Sequence, residues 1–181
     1  MQIISGKFKG VRIYTPKNIK ITPTSSVVRR AIFDFLSPVI KNKNVIDLYA
    51  GTGALGIEAL SRGAKKATFV EFDPECVRTI KTNLSKLKNV ETQVVPLEVF
   101  MAIRLLKGNV FDIFFIDPPY KEKAIKSILL EISVYDIVSE NSLFIAEHHK
   151  KEIFPDKIGV LALVRQKKYG ETVISVFKRQ C

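Results

Sequence analysis

The sequence predicts an α/β fold in which a doubly wound parallel sheet ends in an antiparallel hairpin and carries a small basic N-terminal extension. From residue 45 onward, short apolar runs alternate with segments of helical period. The run Phe111–Ile116 is almost entirely apolar, as expected of a central strand. Near the end, strand-like runs at residues 160–166 and 172–178 have no helix between them, which predicts the hairpin.

The remaining elements follow from apolar periodicity and from residues that start or stop helices. Strands are predicted at residues 45–49, 67–72, 90–95 and 142–147. Helices are predicted through Leu55 and Leu60, from Pro74 onward with Asp73 as cap, and at residues 97–106 and 124–132. In the extension, residues 2–16 suggest a small hairpin, and residues 25–36 a helix with Val28, Ile32, Phe35 and Leu36 on one face.

Positive charge is concentrated at the start of the chain. The 181 residues contain 29 Lys and Arg against 18 Asp and Glu, a net charge of +11. Residues 1–44 hold nine of these cations and a single acid. This excess predicts that residues 1–44 contact nucleic acid while packed on a domain formed by residues 45–181. The predicted RNA contacts are Lys7, Lys9, Arg12, Arg29 and Arg30.

Composition excludes several classes of protein. A hydrophobic fraction of 46% with 26% charged residues excludes disorder of the whole chain. No apolar run approaches the roughly 18 residues of a membrane-spanning helix, and the first residues do not form a secretory signal. The two cysteines do not make a disulfide framework, and no metal site is evident. We therefore expect a reduced, cytoplasmic protein.

A glycine-rich segment, residues 51–56 (Gly-Thr-Gly-Ala-Leu-Gly), lies between a predicted strand and a helix. The pattern occurs in sites for dinucleotides and for S-adenosylmethionine (SAM). Asp47, four residues before Gly51, favours SAM, because a carboxylate attracts an ammonium and a sulfonium but repels a pyrophosphate. Glu71, at the end of the next strand, is placed to accept hydrogen bonds from ribose hydroxyls. The predicted cofactor-binding residues are Asp47, Tyr49, Gly51, Gly53, Leu55, Gly56, Glu71 and Phe72, of which Tyr49 and Phe72 are expected to pack beside the site.

The motif Asp117-Pro118-Pro119-Tyr120 follows directly on the central strand. It resembles the Asp/Asn-Pro-Pro-Tyr/Phe motif of methyltransferases that act on exocyclic amino groups of bases. Such an amino group attacks poorly, because its lone pair is delocalised into the ring, unless acceptors hold its hydrogens. Asp117 offers a carboxylate, Pro118 a rigid backbone carbonyl, and Tyr120 a ring on which a base can stack. These three are the predicted catalytic residues.

Residues 47–64, together with Phe69-Val70-Glu71 and residues 117–120, resemble the bacterial 16S rRNA (guanine-N2)-methyltransferases of the RsmD family. Residues 3–10 and the segment around Val28-Arg29 are also similar. The resemblance implies a class I, Rossmann-like SAM-dependent methyltransferase. It implies methylation of the 2-amino group of a guanine in 16S rRNA, within the small ribosomal subunit or an assembly intermediate. We also expect the protein to be a monomer. Because Val95-Pro96-Leu97-Glu98 lacks the usual acid after the third strand, Leu97 and backbone groups are expected to hold the adenine.

Two other functions share these features. An amino methyltransferase of DNA would use the same Pro-Pro-Tyr chemistry, although 181 residues leave little room for the separate target-recognition region such enzymes commonly carry. A non-catalytic RNA-binding factor of ribosome assembly would keep the fold without turnover. The intact glycine-rich segment, Asp117 and Tyr120 argue against that second alternative.

Overall fold

The computed structural model describes residues 1–16, 24–119, 124–135 and 137–180 of the chain. Its helices are α1 (Ser26–Leu36), α2 (Ala54–Ser61), α3 (Pro74–Leu84), α4 (Val99–Leu105) and α5 (Ile125–Val134). Its strands are β1 (Asn44–Leu48), β2 (Lys66–Val70), β3 (Glu91–Val95), β4 (Phe111–Ile116), β5 (Val138–His149), β6 (Lys157–Ile158), β7 (Leu161–Tyr169) and β8 (Thr172–Arg179).

Within these ranges the strands form one sheet in the order β3-β2-β1-β4-β5-β8-β7-β6. Strands β1 to β5 pair in parallel, whereas β8 runs antiparallel to both β5 and β7. The inserted antiparallel strand confirms the predicted terminal hairpin and the class I arrangement. Strand β4 lies between β1 and β5, as its apolar sequence indicated. The two-residue β6, which the sequence analysis did not predict, extends the edge beyond β7.

Side-chain caps explain where several helices begin. The Asp73 carboxylate accepts hydrogen bonds from the backbone N–H groups of Glu75 and Cys76 at 2.8 and 2.9 Å, and Pro74 is the first helical residue of α3, as predicted. Helix α4 begins at Val99 and not at residue 97, because Glu98 caps it by accepting from Phe100 N–H. The N-cap therefore sets the start of α4 two residues later than apolar periodicity suggested.

Helices cover both faces of the sheet and divide the core in two. Helices α1, α2 and α3 pack on one face, and α4 and α5 pack on the other. Helix α1 buries Phe33 completely, with its ring centroid 5.7 Å from that of Phe115 in β4. Phe35, predicted on the buried face, is only partly covered, because the hydrophobic contact of α1 is centred on Phe33.

The first residues of the chain form a turn fastened to α2. A single antiparallel bridge joins Gln2 and Arg12, so the predicted hairpin is reduced to one bridge. The fully buried carboxylate of Glu58 accepts hydrogen bonds from Ile4 N–H at 2.7 Å and Ser5 N–H at 3.0 Å. The extension thus shares the core of the sheet domain, and its separate function with a boundary at residue 44 stays a prediction. No helix in the described ranges combines the length and the hydropathy that a bilayer span requires.

Candidate functional site

Acidic side chains from three neighbouring strands lie at one edge of the sheet. Asp47 lies near the end of β1, Glu71 follows β2 and Asp117 follows β4. Strand β1 pairs with β2 on one side and with β4 on the other, so the carboxyl ends of all three strands meet. Chain connections leave β1 and β4 in opposite directions, and ligands of doubly wound sheets bind at such a point.

The segment between β1 and α2 turns through left-handed backbone conformations. Tyr49, Gly51 and Gly53 have φ values of 62°, 55° and 78°. Gly53 is the N-cap of α2, and its N–H donates to Ala50 O at 2.7 Å. A side chain at Gly51 or Gly53 would be strained by these angles, and a glycine also lets a ligand approach the backbone closely. Tyr49, which is not a glycine, tolerates the strained conformation while partly buried.

The Asp47 carboxylate binds the first turn of α2, directly after this loop. It is 2% exposed, and its Oδ2 accepts a hydrogen bond from Gly56 N–H at 2.9 Å. Burial raises the pKa of Asp47 to about 8; the Gly56 hydrogen bond opposes that rise, and the nearby Glu71 adds to it. A carboxylate whose charge is so poorly solvated favours a cationic neighbour.

Glu71 connects the loop to the start of α3. One carboxylate oxygen accepts from Gly51 N–H and the other from Asp73 N–H, both at 2.9 Å. Each carboxylate oxygen accepts a second hydrogen bond readily, so ribose hydroxyls still find acceptors here. Phe72 follows Glu71 and is 65% exposed, so the residues around it leave its ring uncovered. Its predicted place beside the cofactor stays a prediction. Leu97, after β3, is partly buried at the same edge.

The third glycine of the pattern supports packing inside the fold. A Cβ on Gly56 would lie 2.4 Å from Cε1 of Phe69 in β2, and Phe69 is fully buried. Gly56 therefore lets α2 approach the sheet closely. The side chain that it lacks would point at β2, and its predicted role in cofactor binding stays a prediction.

Asp117 is linked to the N-terminal extension. The hydroxyl of Thr24 donates to Oδ2 of Asp117 at 3.1 Å. The pKa of Asp117 is raised well above its ordinary value, first by burial and then by the negative charges of Glu147 and Asp47, while the Thr24 hydrogen bond lowers it. Pro118 is buried beside it. Tyr120, the third predicted catalytic residue, lies outside the described residues.

The alignment of β4 and β5 explains the influence of Glu147, which the sequence analysis missed. Ile116 pairs with Ala146, so the residues that follow them, Asp117 and Glu147, lie side by side on the same face of the sheet. Glu147 is 6% exposed. Two adjacent carboxylates, one buried and one partly buried, oppose each other's ionisation and favour a state in which one holds a proton.

Asn83 is a second residue that the sequence analysis missed. Its side chain accepts from Tyr14 N–H at 2.7 Å, donates to Tyr14 O at 3.1 Å, and donates to Thr52 O at 3.0 Å. It is 2% exposed and joins the N-terminal segment to the glycine-rich loop. The sequence did contain one indication of this role. Asn83 lies three residues after Ile80 on the apolar face of α3, where a buried polar side chain needs hydrogen-bond partners.

The predicted RNA-contacting cations separate into two groups. Lys7, Lys9, Arg12 and Arg30 are exposed. Arg29 is 2% exposed, and its guanidinium donates at 2.7 Å to Gln2 O and to the sulfur of Met1. Arg29 thus anchors the first residues of the chain against α1, and its predicted contact with RNA stays a prediction. In the described ranges, no three His, Cys, Asp or Glu residues are grouped so that they could hold a metal ion.

Comparison with known proteins shows similarity along the whole chain. The family described as "Conserved hypothetical protein 95" matches residues 1–178. A Bacillus subtilis protein named "Putative rRNA methyltransferase YlbH" is 33% identical over 183 residues, which cover 99% of this chain and 100% of that protein. The Escherichia coli K12 protein named "Ribosomal RNA small subunit methyltransferase D" is 29% identical over 180 residues, covering 99% of this chain and 90% of that protein.

A solved structure has the same architecture. The structure described as "Putative methyltransferase yhhF from Escherichia coli" superposes with a TM-score of 0.90 at 28% identity, and the match covers 100% of this chain and 98% of that chain. The similarity therefore includes the N-terminal extension and the terminal hairpin as well as the central sheet.

Proposed function

This chain belongs to the family described as "Conserved hypothetical protein 95", and from that membership we propose that it is a SAM-dependent rRNA methyltransferase. Relatives that match nearly the whole chain are named as rRNA methyltransferases. The observation that carries the chemistry is the position of Asp117 and Pro118, which follow β4 beside the loop that Asp47 supports. The Asp-Pro-Pro-Tyr motif supports an exocyclic amino group of a base as the methyl acceptor. We further propose that this group is the 2-amino group of a guanine in 16S rRNA, because the sequence resembles enzymes with that substrate.

The loop and its acids suit the charge of SAM. Buried Asp47 favours a cation, and Glu71 keeps acceptor capacity for ribose hydroxyls. The exposed ring of Phe72 offers a surface for the adenine, with Leu97 on the adjacent segment. When bound, SAM supplies a methyl group activated by its sulfonium. The residues proposed to line it are Asp47, Tyr49, Gly51, Gly53, Leu55, Glu71, Phe72 and Leu97.

Asp117 and Pro118 prepare the amino group for attack. The Asp117 carboxylate and the Pro118 carbonyl accept its two hydrogens, which draws the nitrogen lone pair out of conjugation with the ring. The nitrogen loses a proton once it has gained the methyl group. Because its pKa is raised, Asp117 can take up that proton near neutral pH. The ring of Tyr120 is proposed to stack on the base.

The exposed cations of the extension are proposed to bind the RNA backbone. Lys7 and Lys9 lie on a turn that Glu58 and Ser61 hold against α2: Lys7 N–H donates to Ser61 O at 2.7 Å. These backbone hydrogen bonds fix the turn from which the two exposed side chains project. We propose that a monomer acts in the cytoplasm on 16S rRNA of the small subunit or of an assembly intermediate.

The proposed function is tested by supplying SAM with a radiolabelled methyl group together with rRNA, small ribosomal subunits or duplex DNA. We expect label in RNA, and N2-methylguanosine after digestion to nucleosides. Label in DNA alone would show that the enzyme is an amino methyltransferase of DNA. If none of the three accepts label while RNA still binds, the protein is an RNA-binding factor without turnover.

A further inference from the structure

A groove of about 290 Å³ separates α1 from the β7–β8 hairpin. Its floor is apolar and includes Ile145, Ile174 and Val176. Two aromatic residues, Phe35 of α1 and Tyr169 at the end of β7, line it and are only partly buried. The apolar floor and the two partly exposed rings together offer a surface on which a flat, unstacked base can lie.

Two cations line the same groove, each held over an aromatic ring. The guanidinium carbon of Arg165 lies 5.2 Å from the ring centroid of Phe35, and Nζ of Lys167 lies 5.4 Å from that of Tyr169. Both side chains are exposed, and neither forms an ion pair within the described part of the chain. Asp34 is the acid of the lining. The aromatic rings hold the two cations in place but carry no charge of their own. With two cations and one acid, the groove lining has a net positive charge.

The groove opens on the same face of the sheet as the proposed catalytic acid. Asp117 lies beside Glu147, Glu147 pairs with Ile174, and Ile174 pairs with Lys167. Residues paired in this way share one face, so Asp117 and Lys167 point to the same side. Three strand spacings separate them, a distance of about 14 Å. A strand of RNA with its target base at Asp117 would place a nucleotide about two positions away over the groove.

We propose that this groove is a second RNA subsite, which binds single-stranded nucleotides about two positions from the methylated base. Arg165 and Lys167 contact phosphates, and a neighbouring base stacks against Tyr169 and the Arg165 guanidinium. The two cations are two residues apart on an extended strand, about 6.6 Å along it, which is comparable to the spacing of successive phosphates in a single strand. The inference rests on the proposed function, because it assumes an RNA substrate.

The test compares the double variant Arg165→Gln/Lys167→Gln with Lys168→Gln. Lys168 is equally exposed on β7 but pairs with Val173 and lies on the opposite face of the hairpin. Binding to 16S rRNA transcripts is measured over a range of salt concentrations, and methyl transfer is measured on the preferred substrate. For the double variant we expect affinity at least fivefold weaker, a higher KM with kcat within twofold, and a salt slope smaller by about 1.4. Lys168→Gln should change none of these by more than twofold, and both variants should keep wild-type thermal stability and affinity for S-adenosylhomocysteine.

The outcomes separate the inference from the proposed function. Wild-type affinity and salt slope in the double variant would overturn the subsite, even with full methylation by the wild type. A loss seen with assembled subunits but not with naked rRNA would also overturn it, since the groove would then contact a ribosomal protein. A wild-type protein that binds rRNA through Arg165 and Lys167 but transfers no methyl group would refute the proposed function and leave the subsite standing.

Discussion

The hydroxyl of Thr24 donates a hydrogen bond to Oδ2 of Asp117, across 93 positions of sequence, at 3.1 Å. Thr24 is 8% exposed and immediately precedes the N-cap of α1. The bond therefore ties the extension that carries the exposed cations to the carboxylate proposed to hold the target amino group. Movement of α1 relative to the sheet would disturb the orientation of that carboxylate.

Thr24 is accordingly a positioning residue, and its substitution should change the pH dependence of the reaction. Thr24→Val removes the hydrogen bond that lowers the pKa of Asp117, so a higher pH is needed to ionise the carboxylate. We expect the pH–rate profile to move to higher pH and kcat/KM near neutrality to fall about fivefold, the equivalent of a hydrogen bond of about 1 kcal/mol. Thr24→Ser should restore both. An unmoved profile in Thr24→Val would contradict this role.

Asp117→Ala should abolish methyl transfer and leave the cofactor bound. Removing a positioned proton acceptor lowers rates by about 10²- to 10⁴-fold. Affinity for S-adenosylhomocysteine, measured by calorimetry, should stay within a few fold of wild type. The reason is that the proposed cofactor-binding residues lie around the glycine-rich loop between β1 and α2, and Asp117 follows β4. Glu140→Ala, which removes an exposed carboxylate from the opposite end of β5, is the control and should keep full activity. Substantial activity in Asp117→Ala would refute the assigned role.

The buried Asp47 carboxylate should make the free protein less stable as the pH rises. Its pKa is about 8 in the folded protein against an ordinary value of 3.8, so the folded state retains a proton that the unfolded chain has lost between these two pH values. Raising the pH across this window therefore favours unfolding. Asp47→Asn keeps an acceptor for Gly56 N–H but does not titrate. The free energy of unfolding is measured with urea at several pH values. The value for the variant minus that for wild type should increase from about pH 4 to about pH 8. A constant difference would contradict the raised pKa.

Asn83→Ala should destabilise the fold and weaken cofactor binding together. The substitution leaves backbone groups of Tyr14 and Thr52 without their partner, at a cost of about 1–3 kcal/mol for each group that stays buried and unpaired. Because Thr52 belongs to the glycine-rich loop, affinity for S-adenosylhomocysteine should fall as well. The control is Thr82→Ala on the exposed face of α3, which should lower the free energy of unfolding by less than about 0.5 kcal/mol. Equal stability of the two variants would show that the Asn83 bridge is dispensable.

Residue types at strand ends predicted much of the site, because that information is local. An apolar run that stops at an acid or a glycine marks the edge of a buried strand, and parallel strands bring such ends together. Glu71 and Asp117 follow such runs, whereas Asp47 was located by its position four residues before Gly51. The structure places all three at one edge. The pattern could not show that Gly56 accommodates Phe69, since that contact depends on how closely α2 approaches β2.

Sequence patterns did not predict which side chains are buried or which distant residues form hydrogen bonds with each other. Arg29 and Arg30 are adjacent cations in one helix, yet only Arg29 is buried, because the residues before α1 fold over one side of it. Asn83 meets Tyr14 across 69 positions, in a segment that shows no periodicity of its own. Such partners are selected by packing of the whole chain.

By itself, the sequence determined the alternation of strands and helices, the terminal hairpin and the acids at the strand ends, because periodicity and turn residues act over a few neighbouring positions. Only the tertiary structure decided which of these groups are buried, which are paired and which face the groove beside α1. Those properties arise when segments far apart in sequence exclude water from one another, and that exclusion raises the pKa of Asp47 and brings Thr24 to Asp117.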